Sequence, residues 1–197
     1  MKVLFETYHK YEPSKRCWLD GDYFNVVFRE YQGLITEPLI IEIFPKGDTF
    51  EGPKDLNIAK SWKRGVHGLI RVKIRIKESG SKNIMRHSNL LVIDQDRREA
   101  LRFEPMLEHV YHDEINEVMK KYVEEFLPGY TFVEIENHPQ TYDTTCEDKG
   151  MCVAYVIKAA LMFAMNVDDH SDEEMTAEES LDDIKRFASA VEALFEL

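Results

Sequence analysis

The hydrophobic positions of this chain change their period several times, and each change marks an element. In DGDYFNVVFREYQ, residues 20–32, apolar side chains fall at Tyr23, Phe24, Val27, Phe28 and Tyr31. That is the spacing of an amphipathic helix, and Asp20 or Asp22 suits its N-cap. LIIEIF, residues 39–44, is an unbroken apolar run closed by Pro45 and Gly47, which predicts a buried strand. LIRVKIRIK, 69–77, alternates apolar with basic residues and predicts a strand with one buried face and one wet face. GSK at 80–82 makes a turn. SNLLVID (88–94) and EALRFEP (99–105) read as two short strands joined by a hairpin turn at QDRR. HDEINEVMKKYVEEF, 112–126, is an amphipathic helix stopped by Pro128 and Gly129, and YTFVEI, 130–135, a short strand. A polar loop, 136–150, leads into an apolar helix that begins at Cys152. A last helix is predicted over 176–197, with Thr176 and Glu179 forming a capping box. The order predicts an α+β fold, a mixed central β-sheet flanked by helices. It fits one domain, 1–197, with its core over about 17–165 and an acidic loop and C-terminal helix over 166–197.

Composition narrows the function classes. The hydrophobic share, 44%, allows a sizeable core in 197 residues. A net charge of −12 argues against a nucleic-acid footprint. Residues 168–183 hold nine carboxylates and no Lys or Arg, which predicts a solvated face or loop. The stretch 60–82 is basic instead, with Trp62, Arg64, Arg71, Lys73, Arg75 and Lys77. It reads first as a solvated strand face and second as a surface for an acidic partner. The cysteines are Cys17, Cys146 and Cys152, an odd set that makes no disulfide framework. The start, MKVLFETYHK, lacks the apolar core of a signal peptide, and no run reaches the ~18 apolar residues of a membrane span. A reducing intracellular compartment and no membrane association are the expectation.

Cys152 carries the candidate chemistry. It follows the glycine turn of DKGMCVAYVIKAALMFAM, at the mouth of an apolar helix. A helix N-terminus favours a thiolate. Taken alone, such a cysteine reads first as a small core residue. A nucleophile also needs a base, an orienter for the base, and donors for the oxyanion. His87, in MRHSNLLVID, is the base candidate; alone it is a polar residue at a strand entry. A hairpin centred on Asp96 and Arg97 returns residues 104–106 to the side of residues 87–89. Glu104 then lies near His87, where a carboxylate orients an imidazole. Asp94 is seven residues further along the same strand, roughly 23 Å at about 3.3 Å per residue, so it is rejected as orienter. Gln140, in the loop before Cys152, reads alone as a solvent-facing glutamine. Its amide is also placed to complete an oxyanion hole with the Cys152 backbone N–H. His109 and His112 have metal-like spacing, but Glu108 and Asp113 beside them predict a solvated helix start, so no metal site is expected.

The chain order His, acid, Gln, Cys resembles that of the SUMO-specific proteases and the adenovirus maturation protease, a clan of papain-like cysteine proteases with permuted order. WLDGDYFNVVFREY at 18–31 resembles the helix that opens the SUMO-protease domain. HSNLLVID at 87–94 resembles their "HW…VID" strand, and RFEP at 102–105 is similar to the "FEP" or "FDP" of the adenovirus enzyme. The series HSNLLVID, RFEP, Gln140 and GMCVAY is most similar to thiol-protease-like proteins of large DNA viruses. The likeness covers about 17–165. The chain departs from the SUMO proteases at Ser88, where they carry Trp, and at Val153, where they carry Gly. The Gln–Cys spacing also differs: Gln140 stands twelve residues before Cys152 but six before Cys146. Cys146 is therefore a rival nucleophile, although the apolar helix begins at Cys152.

The resemblance implies a papain-like fold and a cysteine protease that uses Cys152, His87, Glu104 and Gln140, with no cofactor. Trp18, Leu19 and Asp20 would flank the substrate groove. The implied partners are protein substrates, either ubiquitin-like modifier tails or viral precursor proteins, with capsid proteins as further partners and no nucleic acid. The implied location is host cytoplasm or virion. Two alternatives stay open: an inactive, protease-like structural component of a large DNA virus particle, and an acyltransferase using the same triad.

Overall fold

The structure, a computed structural model, describes residues 2–16, 18–28, 37–54, 68–106, 110–135, 151–165 and 177–194. Its frame is a six-stranded mixed sheet. The strands are β1 (Leu39–Ile43), β2 (Thr49–Glu51), β3 (Gly68–Ile76), β4 (Met85–Asp94), β5 (Glu99–Phe103) and β6 (Thr131–Glu134), in the order β2-β1-β3-β4-β5-β6. β1 and β3 are parallel, as are β5 and β6; the other neighbours are antiparallel. The helices are α1 (Lys2–Thr7), α2 (Tyr23–Val27), α3 (His112–Phe126), α4 (Cys152–Met165) and α5 (Ala177–Ala193), with a 3-10 turn at Tyr8–Lys10.

Helices cover both faces of the sheet, so its central strand is apolar on both sides, as LLVI in β4 requires. Ile70, Val72, Ile74 and Ile76 of β3 join Leu91 and Ile93 of β4 against Ile115, Val118, Met119, Tyr122 and Val123 of α3. Those helix positions recur at i, i+3, i+4, i+7 and i+8, the stripe that lets one face of α3 settle on a sheet. On the opposite side Leu69, Leu90, Val92 and Phe103 meet Ala154, Val156, Ala160 and Leu161 of α4, with Phe24 and Phe28 beside α2 and Phe187 from α5. α4 is buried along most of its length. A helix apolar nearly all round belongs inside, and its alanines let it lie close to the strands.

Several predicted elements are present with shifted ends. The strand expected at 88–94 starts three residues earlier, at Met85, and the helix over 20–32 is described only as Tyr23–Val27. Thr176, and the capping box that depends on it, lies outside the described residues. The β4–β5 hairpin turns over 95–98, centred on Asp96 and Arg97, with Arg98 at φ 55°. Asp94 closes that turn by accepting the backbone N–H of Asp96 at 2.9 Å and of Arg97 at 3.0 Å.

Two expectations change. β3 is not wet along its basic face: Arg71 is buried and Lys73 half-buried, and Arg75 reaches solvent. The acidic stretch is not wholly solvated either. Asp183, on α5, accepts a hydrogen bond from the buried Lys158 ammonium of α4 at 2.9 Å, and another from the Tyr8 hydroxyl at 3.2 Å. It ties two helices together. Residues 166–176 lie outside the described residues.

Candidate active site

The hairpin sets the first half of the site. Leu90 faces Phe103 and Asp94 faces Glu99, so the register brings the end of β5 back to the start of β4. Glu104 is the first residue past β5, and Pro105 follows it. A residue before proline stays extended and proline adds no ladder N–H, so the strand ends there with the Glu104 side chain committed inward. Glu104 is fully buried. Its Oε1 lies 2.6 Å from His87 Nε2 and accepts the Met106 backbone N–H at 3.0 Å. Its Oε2 accepts Asn89 Nδ2 at 2.9 Å and Arg102 Nη2 at 2.6 Å.

α4 supplies the second half. Cys152 is its first residue and is buried at the strand end where His87 sits, with its side chain hydrogen-bonded to the His87 ring. Nε2 is engaged by Glu104, which leaves Nδ1 as the ring nitrogen open to the sulfur. The imidazole thus stands between a carboxylate and a thiol.

Burial alone would hold His87 neutral. The Glu104 charge and the hydrogen bonds to Cys152 and Glu104 outweigh it and push the ring up from 6.5 to about 10. Burial likewise works against a charged Glu104, and His87, Arg102 and the Met106 N–H together hold it down at about 2. At neutral pH the pair is imidazolium and carboxylate. The stability that His87 contributes is therefore fully present below its unfolded value of 6.5, and is lost as pH rises through about 10. Glu104 contributes above its unfolded value of 4.5 and loses its share only as pH falls through about 2. Urea denaturation of the parent is expected to show stability falling between pH 7 and 10 by on the order of a few kcal/mol. His87→Gln should flatten that decline. Equal slopes in the two proteins would mean that His87 carries no proton gained on folding.

Arg102 and Asn89 are site residues that sequence reasoning did not single out. The Arg102 side chain has no exposed surface, and its Nε donates to Asn89 Oδ1 at 2.9 Å. Its Nη1 donates to Asn116 Oδ1 at 2.7 Å and to the His112 carbonyl at 3.4 Å, and lies 3.5 Å from Glu134 Oε1. The signal was Arg102 itself, a charge in the otherwise apolar middle of RFEP's strand.

The remaining candidates are placed as follows. Gln140 and Cys146 lie outside the described residues, as do Cys17 and His109. Trp18 is 44% exposed and Asp20 is exposed, whereas Leu19 is buried in the α4-side core. Val153 is half-buried and packs against that same core. His112 is paired with Glu134 of β6, Nε2 to Oε1 at 2.8 Å, rather than opening onto solvent. Among the described residues no group of His, Cys, Asp and Glu is arranged to hold a metal ion, and no helix is long and apolar enough to cross a membrane.

The chain matches no protein-family model and no curated protein. Solved structures do resemble it. ChlaDub1 from Chlamydia trachomatis superposes over 94% of this chain and 93% of its own, at 12% identity and TM-score 0.52. The Chlamydia trachomatis effector protein Cdu1, solved bound to ubiquitin, is matched at 13% identity and TM-score 0.41, over 64% of this chain and 62% of that one. The SUMO protease Ulp1, with its catalytic cysteine oxidized to a sulfenic acid, is matched at 16% identity and TM-score 0.35, over 64% of this chain and 53% of that one. The chain thus spans less than two thirds of the latter two. The ChlaDub1 likeness extends over nearly the whole of both chains. Mixed six-stranded sheet, flanking helices and element order together give this chain the α+β, papain-like fold shared with ChlaDub1.

Proposed function

We propose that this protein is a cysteine protease that cleaves peptide or isopeptide bonds at the tails of ubiquitin-like modifiers, with 1–197 acting as one protease-like domain. A single observation carries the reading. The His87 ring bridges a buried carboxylate and a thiol at the first residue of a buried helix. In the reactive form the Cys152 proton has passed to His87, whose imidazolium is held by Glu104. The Cys152 sulfur attacks the scissile carbonyl, the His87 imidazolium gives its proton to the leaving amine, and a thioester remains. Water, activated by the now neutral imidazole, attacks the thioester and returns the thiolate and the imidazolium. The backbone N–H of Cys152, with Gln140, stabilises the tetrahedral oxyanion. Trp18 and Asp20 are exposed and suit the rim of the groove, whereas Leu19 supports it from the core. The substrate class rests on the order of the sequence motifs. Nothing in the comparisons adds to a viral-precursor substrate, capsid partners or a virion location.

The test is a set of electrophilic probes built on ubiquitin, on SUMO and on a short Gly-Gly peptide, with mass-spectrometric mapping of the adduct. The expected result is one probe on Cys152, absent from Cys152→Ala. An adduct on Cys146 would move the nucleophile. A covalent acetyl group from labelled acetyl-coenzyme A would favour the acyltransferase. A Cys152 that ignores every probe would sink the reading.

A further inference from the structure

Asn89 is a buried amide in a row of the sheet that is otherwise apolar beyond it. It stands two residues after His87 on β4, and strand alternation puts both on one face. Leu91 and Ile93 continue that face into the apolar contact with α3. Asn89 has no exposed surface. Leu90 pairs with Phe103, so one further step of the same register sets Asn89 beside Glu104. A buried amide is costly unless both of its ends are satisfied, and here both are. Oδ1 accepts Arg102 Nε at 2.9 Å, and Nδ2 donates to Glu104 Oε2 at 2.9 Å. The partners decide which end is which. A guanidinium cannot accept, and the carboxylate, held down at about 2, has no proton to give.

These bonds close a ring. Arg102 Nη2 donates to the same Glu104 oxygen at 2.6 Å, so Asn89, Arg102 and Glu104 are joined in a cycle. The ring matters because the last torsion of a glutamate side chain is broad and two-fold, and no intrinsic preference sets the plane of its carboxylate. One donor on Oε2 would let the group swivel about that bond. Two donors, one from β4 and one from β5, fix the plane, and Oε1 then faces His87 Nε2 at 2.6 Å. Arg102 is itself held from behind, its Nη1 donating to Asn116 Oδ1 at 2.7 Å. The charged groups around the amide are His87 on β4, Arg102 and Glu104 at the end of β5, and, behind Arg102, Glu134 of β6 with His112 and Asp113 of α3. Among them Asn89 supplies a donor without adding a charge.

We propose that Asn89 is a positioning residue whose side-chain N–H, aimed by Arg102, sets the plane of the Glu104 carboxylate and so selects the oxygen presented to His87. The inference rests on the protease reading, to which it adds a further residue. Asn89 acts on the chemistry through Glu104 and His87, so its loss belongs in kcat and leaves KM unchanged. Packing alone would be served as well by a leucine, as at position 91, whereas aiming a carboxylate needs a donor.

Asn89→Asp tests the donor with almost no change in shape. The new carboxyl shares a dry site with Glu104, which raises its pKa. Protonated, it supplies an O–H donor in place of the amide; ionised, it repels Oε2 and the Glu104 carboxylate turns. Two readouts on the full chain follow this. The low-field proton resonance of His87 Nε2 reports the bond to Glu104 without any substrate. Turnover of the aminomethylcoumarin amides of ubiquitin, SUMO and a short Gly-Gly peptide gives kcat and KM. Against the parent at the same pH, Asn89→Asp is expected to be near parental at about pH 5. By about pH 8 its kcat should fall about tenfold or more, with the resonance lost and KM unchanged. Asn89→Leu has no donor at any pH and should show the deficit throughout; if Asn89→Asp fails to fold, this variant decides. Folded variants that keep the resonance and the parental kcat at every pH would overturn the role of Asn89 and leave the protease reading standing. So would a deficit in Asn89→Asp that does not change with pH, because Asn89 would then pack rather than donate. A parent that cleaves none of the three substrates would overturn the protease reading, and with it the catalytic use of this contact.

Discussion

Arg102→Ala is expected to cost about 3–5 kcal/mol of folding stability, the scale for removing one member of a buried charge network. The reason lies in how many groups depend on it. Its guanidinium satisfies Asn89 Oδ1, Glu104 Oε2, Asn116 Oδ1 and the His112 carbonyl, and no part of its side chain meets solvent. Alanine strips the Glu104 carboxylate of its cation on one side and leaves two side-chain amides without a donor, all under the packed face of α3. Arg102→Lys should recover only part of the loss. An ammonium is a point charge and cannot present the planar fork that reaches β4, Glu104 and α3 together. Chemical denaturation with a two-state fit measures both variants. A loss under ~1 kcal/mol for alanine would show that water enters and solvates the carboxylate, and the network would then be a surface feature rather than a dry one.

The sequence disclosed the parts of this site that local geometry controls. A four-residue hairpin fixes the register of the strands it joins. The approach of Glu104 to His87 therefore followed from counting residues around Asp96 and Arg97, and the same counting put Asp94 at the wrong end. α3 announced itself through apolar residues at 115, 118, 119, 122 and 123, because a helix that docks by one face must repeat at that interval. The misses share a different cause. Arg71 and Arg102 each sit at a position where strand alternation predicts solvent. What buries them comes from elsewhere in the chain: the 20–22 turn over Arg71, α3 over Arg102. Asp183 was hidden in the same way among acidic neighbours, its partner Lys158 being a charge inside an apolar helix. A charged residue reads as solvated until the element that covers it is known, and no local period encodes that. The short β2, three residues of TFE, is a strand only because β1 lies beside it.

Glu104→Gln is expected to lower kcat by about 10²–10⁴ while leaving the fold intact, on the scale of losing an orienting carboxylate in other triads. The expectation comes from counting donors. Four N–H groups converge on the two carboxylate oxygens: His87 Nε2 and the Met106 N–H on Oε1, Asn89 Nδ2 and Arg102 Nη2 on Oε2. A glutamine has one oxygen to offer. The charged guanidinium forms the stronger bond and takes it, so the amide NH₂ turns toward His87 and Met106. Two consequences follow for the ring. It loses the counter-charge that keeps it protonated, and a donor now faces Nε2, so its single proton moves to Nδ1, the nitrogen turned to the sulfur. An imidazole in that tautomer cannot receive the thiol proton, and the thiolate–imidazolium pair does not form. The mismatch at Met106 should also cost about 1–3 kcal/mol of stability, well short of unfolding a domain of ordinary stability. Circular dichroism and a thermal melt establish the fold, and single-turnover cleavage of the probe-reactive substrate gives kcat. The pH profile separates the cause from simple misplacement. Glu104→Gln should need higher pH for activity, because thiolate must then form without an imidazolium beside it. A folded Glu104→Gln protein with parental rate and parental profile would show that the carboxylate is a strut in the fold and takes no part in setting the charge of the ring.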